Sequence, residues 1–252
     1  CIYLLFGHKD SIRFIIKKFD NLSHHFLPYK EQDEMIMSQL FDEDIFLFNQ
    51  SKYLKKYSGY PLYQNTDVEF FPETNLALNA MIKELKEAKE YIFMEYYAIE
   101  EAKIFNEIIP ILKKKARQGV DIRIIYDDVG SIGFIDPGFI RRMEAIGVKC
   151  RVFNPVHPLF NIFMNNRDHR KICVIDGIVG FTGGYNIADR YFIDSKRYGH
   201  WKDSGVKLTG DAVLSLTVMF LEMWSSVKDD EDYERFLKKI PYKSKEEGFV
   251  QV

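Results

Sequence analysis

With 252 residues the chain has room for one large domain or two small ones, with an ample core. Its 46% hydrophobic and 29% charged content is ordinary for a soluble globular protein, and the 15% aromatic share, led by 21 Phe and 15 Tyr, suits a thick core or a face that touches lipid. A net charge of −2 excludes a global basic field for nucleic acid, and three cysteines (Cys1, Cys150, Cys173) are too few and too irregular for a disulfide framework or a zinc site.

The first residues, CIYLLFGHKD, are too short an apolar run to cross a bilayer, which needs about 20 residues. They match the last turns of a spanning helix cut by the start of the sequence, or else the start of an amphipathic helix. SIRFIIKKFDNL then has the pattern of a basic helix lying at a membrane surface, and KEQDEMIMSQLFDE that of a second, more acidic helix. Residues 1–25 are therefore expected to be membrane-proximal and 26–60 a connecting region, with Pro61 opening the main domain.

From there the periodicity is regular. TNLALNAMIKELKEAKE carries apolar residues at 78, 81, 82, 85 and 88, the spacing of an amphipathic helix, with Thr74 or Asn75 available as N-cap. YIFMEYYAI is strand-like. EEAKIFNEIIPILKKKARQG is a helix with a basic last turn and Gly119 as its stop, which Pro110 should kink or interrupt. VDIRIIYDD predicts a strand, GFIRRMEAIG a helix closed by Gly147, and VKCRVF another strand. RKICVID and IVGFTGG are two strands separated at Asp176-Gly177, a hairpin signal. DSGVKLTG gives a last strand and DAVLSLTVMFLEMWSSV an apolar closing helix, with residues 229–252 polar enough to be a linker. The pattern implies an α/β fold, a mixed sheet with helices on both faces. Cys150 and Cys173 fall in apolar strands, where buried reduced thiols are expected, as in a cytoplasmic-side environment.

The residues that suggest chemistry lie at His169, Lys171 and Asp176, spaced His-x-Lys-x4-Asp. In extended backbone His169 and Lys171 share a face. The neighbouring cations disfavour a second positive charge on the ring, which leaves the imidazole neutral and nucleophilic beside an anion-holding ammonium. Asp176 falls at the hairpin turn, where it either anchors the motif or serves only as a turn residue. In the following TGGYN, Gly183 and Gly184 allow close backbone approach, and Asn186 offers an amide to a phosphate oxygen. A nucleophile, a cation and neutral donors are the parts phosphoryl transfer needs without a metal. A neutral imidazole also needs an acceptor on its other nitrogen, and the candidate carboxylates are Asp203 in GHWKDSG and Glu95 in FMEYY.

HRKICVID followed by GFTGGYN resembles the HKD signature of the phospholipase D superfamily. The flanks MEYYAIEE, GVDIRIIYDDVGSIG and GHWKDSGVKLTGDAV narrow the resemblance to bacterial cardiolipin synthases, over about residues 60 to 228. The resemblance implies an α/β/α sandwich carrying one HKD half over 61–228. It implies phosphatidyl transfer between two phosphatidylglycerol molecules, without a metal or other cofactor, at an anionic bacterial cell membrane with the catalytic domain on the cytoplasmic side. His169 would be the nucleophile, Lys171 and Asn186 would hold the phosphate, and Asp203 would orient His169. No nucleic acid partner is expected. The early Gly7-His8-Lys9-Asp10 has the motif's letters without its spacing and is a decoy.

Two departures stand out. The family carries two HKD motifs per active site, whereas one occurs here, so the partner is a second repeat in a missing C-terminal half or in another chain. Gly205 also stands where these enzymes often carry a histidine. Two alternatives remain open at this point: a hydrolase or nuclease of the superfamily acting as a dimer, and an inactive membrane-binding half.

Overall fold

Long runs of Ile, Val and aromatic residues without polar breaks build the centre of the molecule, and amphipathic helices cover them. The computed structural model describes residues 23–156, 166–194, 199–228 and 232–252. The expected membrane-proximal stretch and the Gly7–Asp10 decoy lie outside the described residues, apart from residues 23–25.

In chain order the elements are α1 (Glu34–Glu43), α2 (Ile45–Ser58), β1 (Leu62–Tyr63), β2 (Thr66–Phe71), α3 (Thr74–Glu87), β3 (Tyr91–Tyr96), α4 (Lys103–Arg117), β4 (Asp121–Asp127), the single turn α5 (Asp128–Ser131), α6 (Phe139–Ala145), β5 (Val148–Phe153), β6 (Lys171–Ile175), β7 (Val179–Gly183), β8 (Gly205–Gly210), α7 (Val213–Val227) and β9 (Val250–Gln251). One seven-stranded sheet has the order β2-β8-β7-β6-β3-β4-β5. β3, β4 and β5 are parallel, joined by helical crossovers, while β6, β7, β8 and β2 add antiparallel strands. Leu78, Met81 and Leu85 of α3, Phe105, Ile108 and Leu112 of α4 and Phe139 of α6 bury one face. Val213, Leu216, Phe220 and Trp224 of α7 bury the other, where Phe93 and Phe220 stack at 4.3 Å. This is the α/β sandwich with a mixed sheet that the periodicity implies.

Several local expectations change. Pro110 does not interrupt α4, which runs continuously through it. Pro110 and Asn106, whose carbonyl loses its helical partner, both lie on the exposed face, where the unpaired carbonyl is open to solvent. Thr74 does not cap α3; its hydroxyl donates instead to the Tyr191 carbonyl at 2.6 Å. The 26–60 region is more than a connection. Asp44 caps α2 through Phe46 N–H (2.8 Å) and Leu47 N–H (3.0 Å), and Lys30 and Tyr60 converge on Glu222 of α7 at 2.6 and 2.8 Å. Cys150 and Cys173 are free and buried.

The polar tail is docked as well. β9 pairs antiparallel with β1, and Phe236 sits against Tyr91 and Phe93 with ring centroids 4.9 Å from each. Phe236 is 5% exposed, and the Arg123 guanidinium lies 4.7 Å from its ring. Phe236→Ala is therefore expected to destabilise the domain by about 3 kcal/mol, measured by urea unfolding. A tail that merely links would give no measurable change.

Candidate active site

The site forms where β6 begins and β3 ends. Lys171 opens β6, and the two-residue spacing puts His169 beside it. Lys171 Nζ donates to the His169 carbonyl at 2.6 Å and lies 3.0 Å from His169 Nδ1. The imidazole is exposed at the lip, tilted 46° against the Tyr97 ring at 4.7 Å, and Lys171 Nζ lies 5.5 Å from the centre of the same tyrosine. Lys171 itself is buried. Burial lowers its pKa to about 8, against the opposing pull of Asp168 and Asp203. Partial desolvation, and after it the Lys171 cation, lower the His169 pKa below its ordinary value. The His169 shift favours an uncharged imidazole; the Lys171 shift works against the ammonium, which with a pKa of about 8 still predominates at neutral pH.

Carboxylates hold this segment in place. Asp127, at the carboxyl end of the parallel strand β4, accepts from Asp168 N–H at 3.0 Å and Gly130 N–H at 3.3 Å, and Arg167 stands 3.4 Å away. Gly130 is required there, because a Cβ would lie 2.0 Å from the Tyr97 carbonyl oxygen. Arg170, between His169 and Lys171, reaches the other face of the sheet. Its Nε lies 2.7 Å from Glu95 Oε1 and 3.1 Å from Asp168 Oδ1. Glu95 is registered opposite Ile172, whereas Lys171 is registered opposite Tyr96, so Glu95 and Lys171 project to opposite faces. Glu95 is thus not the carboxylate behind His169 but the counter-ion of Arg170. Burial pushes its carboxyl well above the usual range, with Arg170 opposing.

The other expected site residues occupy different posts. Asp176 lies at the far end of β6 from His169. Its carboxylate accepts from the N–H groups of Lys89 (2.7 Å), Glu90 (2.8 Å) and Tyr91 (2.9 Å), which ties the hairpin to the start of β3. With φ of 52° and Gly177 at 68°, it is a turn and anchor residue that does not reach the reacting centre. The glycines admit protein rather than ligand: a Cβ on Gly184 would sit 2.0 Å from Asp203 Oδ1, and one on Gly183 would sit 2.5 Å from the Ser204 carbonyl oxygen. Asp203 accepts from Ser204 N–H at 2.8 Å and acts on Lys171 through its charge; among the described residues no hydrogen bond joins it to His169. Asn186 is 1% exposed and committed at both ends, accepting from Ala98 N–H and donating to the Tyr191 hydroxyl, each at 2.9 Å. Gly205 tolerates no side chain, since its Cβ would lie 2.8 Å from the Tyr185 ring and 3.0 Å from Ala77. A histidine cannot occupy that place under α3.

Tyr97, Asp127, Asp168 and Arg170 escaped the sequence reading. Asp127 carried a usable signal, because ligands of open α/β sheets gather at the carboxyl ends of parallel strands. The other three owe their roles to long-range contacts.

A family model described as "Cardiolipin synthase, PLD-like domain" matches residues 81–224, more than half of the chain. The chain belongs to this family. The matched stretch runs from α3 into α7 and contains His169, Lys171, Asn186 and Asp203. Among curated relatives, the chain is 31% identical over 246 residues to a cardiolipin synthase of Oceanobacillus iheyensis, covering 92% of this chain and 50% of that protein. It is 34% identical over 211 residues to a cardiolipin synthase of Staphylococcus aureus Mu50, covering 83% of this chain and 39% of that protein. The chain therefore spans about half, or less, of the length of these relatives. A crystal structure of phosphatidylserine synthase from Haemophilus influenzae aligns with a TM-score of 0.50 at 14% identity, covering 67% of this chain and 40% of that one, which shows a shared fold.

Proposed function

We propose that this chain is the N-terminal half of a bacterial cardiolipin synthase, working at the cytoplasmic face of the cell membrane. Its reaction is phosphatidyl transfer from one phosphatidylglycerol to another, giving cardiolipin and glycerol. The observation that carries this reading is the 3.0 Å pairing of an exposed imidazole with a buried ammonium at the lip of the sheet. Membership of the family supports the lipid substrate.

An ammonium donating to Nδ1 leaves the ring proton of a neutral His169 on Nε2. A phosphate oxygen entering the cleft draws the Lys171 ammonium away from Nδ1. The ring proton then moves to Nδ1, where Asp203, not joined to His169 in this structure, would have to turn to accept it, and Nε2 is free to attack phosphorus. A P–N bond forms, the P–O bond to glycerol breaks, and the leaving oxygen takes a proton. The primary hydroxyl of a second phosphatidylglycerol next attacks phosphorus, losing its proton as the P–N bond breaks. The general acid and base for both steps come from the second HKD repeat, so the half alone is inactive or nearly so. The test uses a protein carrying this segment together with a second repeat, turning over phosphatidylglycerol and quenched in alkali. A phosphatidyl adduct on the peptide containing His169 is expected, and its absence under turnover overturns the assignment.

A further inference from the structure

Helix α2 is amphipathic in the wrong sense for a helix packed only on its own protein. Ser51 is its buried residue, while Phe46, Tyr53 and Tyr57 are 81%, 62% and 67% exposed. At about 100° per residue these three rings fall within about 40° of one another, on the side facing away from Ser51. Leu47 and Leu54, 51% and 42% exposed, border the stripe on one flank and exposed Lys56 on the other, with exposed Lys52 further round on that side, about 120° from the stripe's centre and 5.9 Å from the Phe48 ring. The Tyr53 and Tyr57 rings touch at 4.5 Å, and the Lys56 ammonium lies 5.4 Å from the Tyr57 ring. A soluble helix turns its apolar stripe towards the core. This one presents it outward.

We propose that the C-terminal half of α2 docks onto an anionic phospholipid surface, with Tyr53, Leu54 and Tyr57 entering the headgroup boundary and Lys52 and Lys56 meeting the lipid phosphates. Tyrosine joins an apolar ring to a polar tip and so suits the boundary between hydrocarbon and water. Flanking lysines complement anionic headgroups, and a single convex helix matches a broad deformable surface better than it fits a groove. The acidic groups packed near the helix define its tilt. Asp42, Glu43 and Asp44 stand at its N-terminal end, where Asp44 is occupied in capping, and Glu31 and Glu34 lie near Lys55, away from the Tyr53–Tyr57 stripe, so the N-terminal end is held off while the stripe's lysine-flanked end inserts. Lys55 takes no part, because its ammonium donates to the carbonyls of Lys30 and Gly59. The docking face stands on this geometry alone and is independent of the histidine chemistry.

The test places an added indole on the stripe and reads its quenching by vesicles with brominated acyl chains, made of phosphatidylserine and phosphatidylcholine. Phosphatidylserine is anionic but is not the proposed substrate, so docking is measured apart from turnover. In Tyr57→Trp the fluorescence above that of native Trp201 and Trp224 should be quenched. In Lys113→Trp, an exposed position on α4, it should not be. The variant Lys52→Glu/Tyr53→Ser/Lys56→Glu/Tyr57→Ser should keep its circular dichroism and bind these vesicles at least roughly tenfold more weakly. Equal quenching at both positions, no quenching at residue 57, or binding unchanged on pure phosphatidylcholine would each overturn the proposal. So would self-association that this variant loses while residue 57 stays unquenched, since that makes the stripe a contact between copies.

Discussion

Lys171→Met is expected to lower phosphatidyl transfer about 10²–10³-fold in a protein carrying both repeats, the usual loss when one preorganised donor to a developing oxyanion is removed. The fold should survive, because methionine fills the same buried channel beside Tyr97. The wild-type pH profile carries the sharper test. Lys171 loses its proton near pH 8, so activity that needs the ammonium should fall as the pH rises through about 8. His169 must be neutral to attack, and its lowered pKa keeps it so down to below its ordinary value, which sets the rising limb at the acid side. Lys171→Arg keeps a charge at every accessible pH, though not the point geometry of an ammonium. Its rate should be lower than wild type and its descending limb absent. A wild-type kcat/KM that stays flat from about pH 7 to 9.5 would mean that the Lys171 charge plays no part.

How far the sequence alone leads is clear from individual residues. The central strands and their helices follow from period and length, and the Asp176-Gly177 turn follows from the positive φ that only such a pair adopts readily. The shared side of His169 and Lys171 follows from strand alternation. Contacts between distant segments were not legible. Nothing local in TGGYN says that its glycines make room for Asp203, although both Cβ clashes point at the 203–204 segment. Alternation alone also misleads at Glu95. A carboxylate inside an apolar strand must be paired, but whether with His169 or Arg170 depends on the register of β3 against β6. The edge strand β2 was not read, although Val68 and Phe70 alternate with Asp67 and Glu69; in the structure that apolar side is exposed rather than buried. The tail escaped because the buried pair that anchors it, Phe236 and Leu237, is set among charged residues and shows no periodicity.

Arg170→Met should destabilise the domain by about 3–5 kcal/mol at about pH 8, the cost of orphaning a buried charge, although no catalytic atom is touched. Glu95 is 0% exposed, and Arg170 is the cation at 2.7 Å from it. Without that partner the carboxyl, already pushed up by burial, is driven further towards its protonated form. A group whose folded pKa exceeds its unfolded value stabilises the protein fully at low pH and loses that stabilisation as the pH rises through the folded value. The deficit should therefore be smaller at about pH 5 than at about pH 8 in urea unfolding. Adding Glu95→Leu removes one of the two buried carboxylates that Arg170 neutralises and should recover part of the loss, while Asp168, 3.1 Å from the Arg170 Nε, still lacks its cation. Transfer should respond differently, because Arg170 also ties Asp168 and the His169–Lys171 backbone to the α7 side of the sheet. In the double variant stability returns in part while kcat stays as depressed as in Arg170→Met, which separates a positioning role from simple support of the fold. Recovery of both together would reduce Arg170 to a counter-ion and leave the placement of His169 to Asp127 and Tyr97.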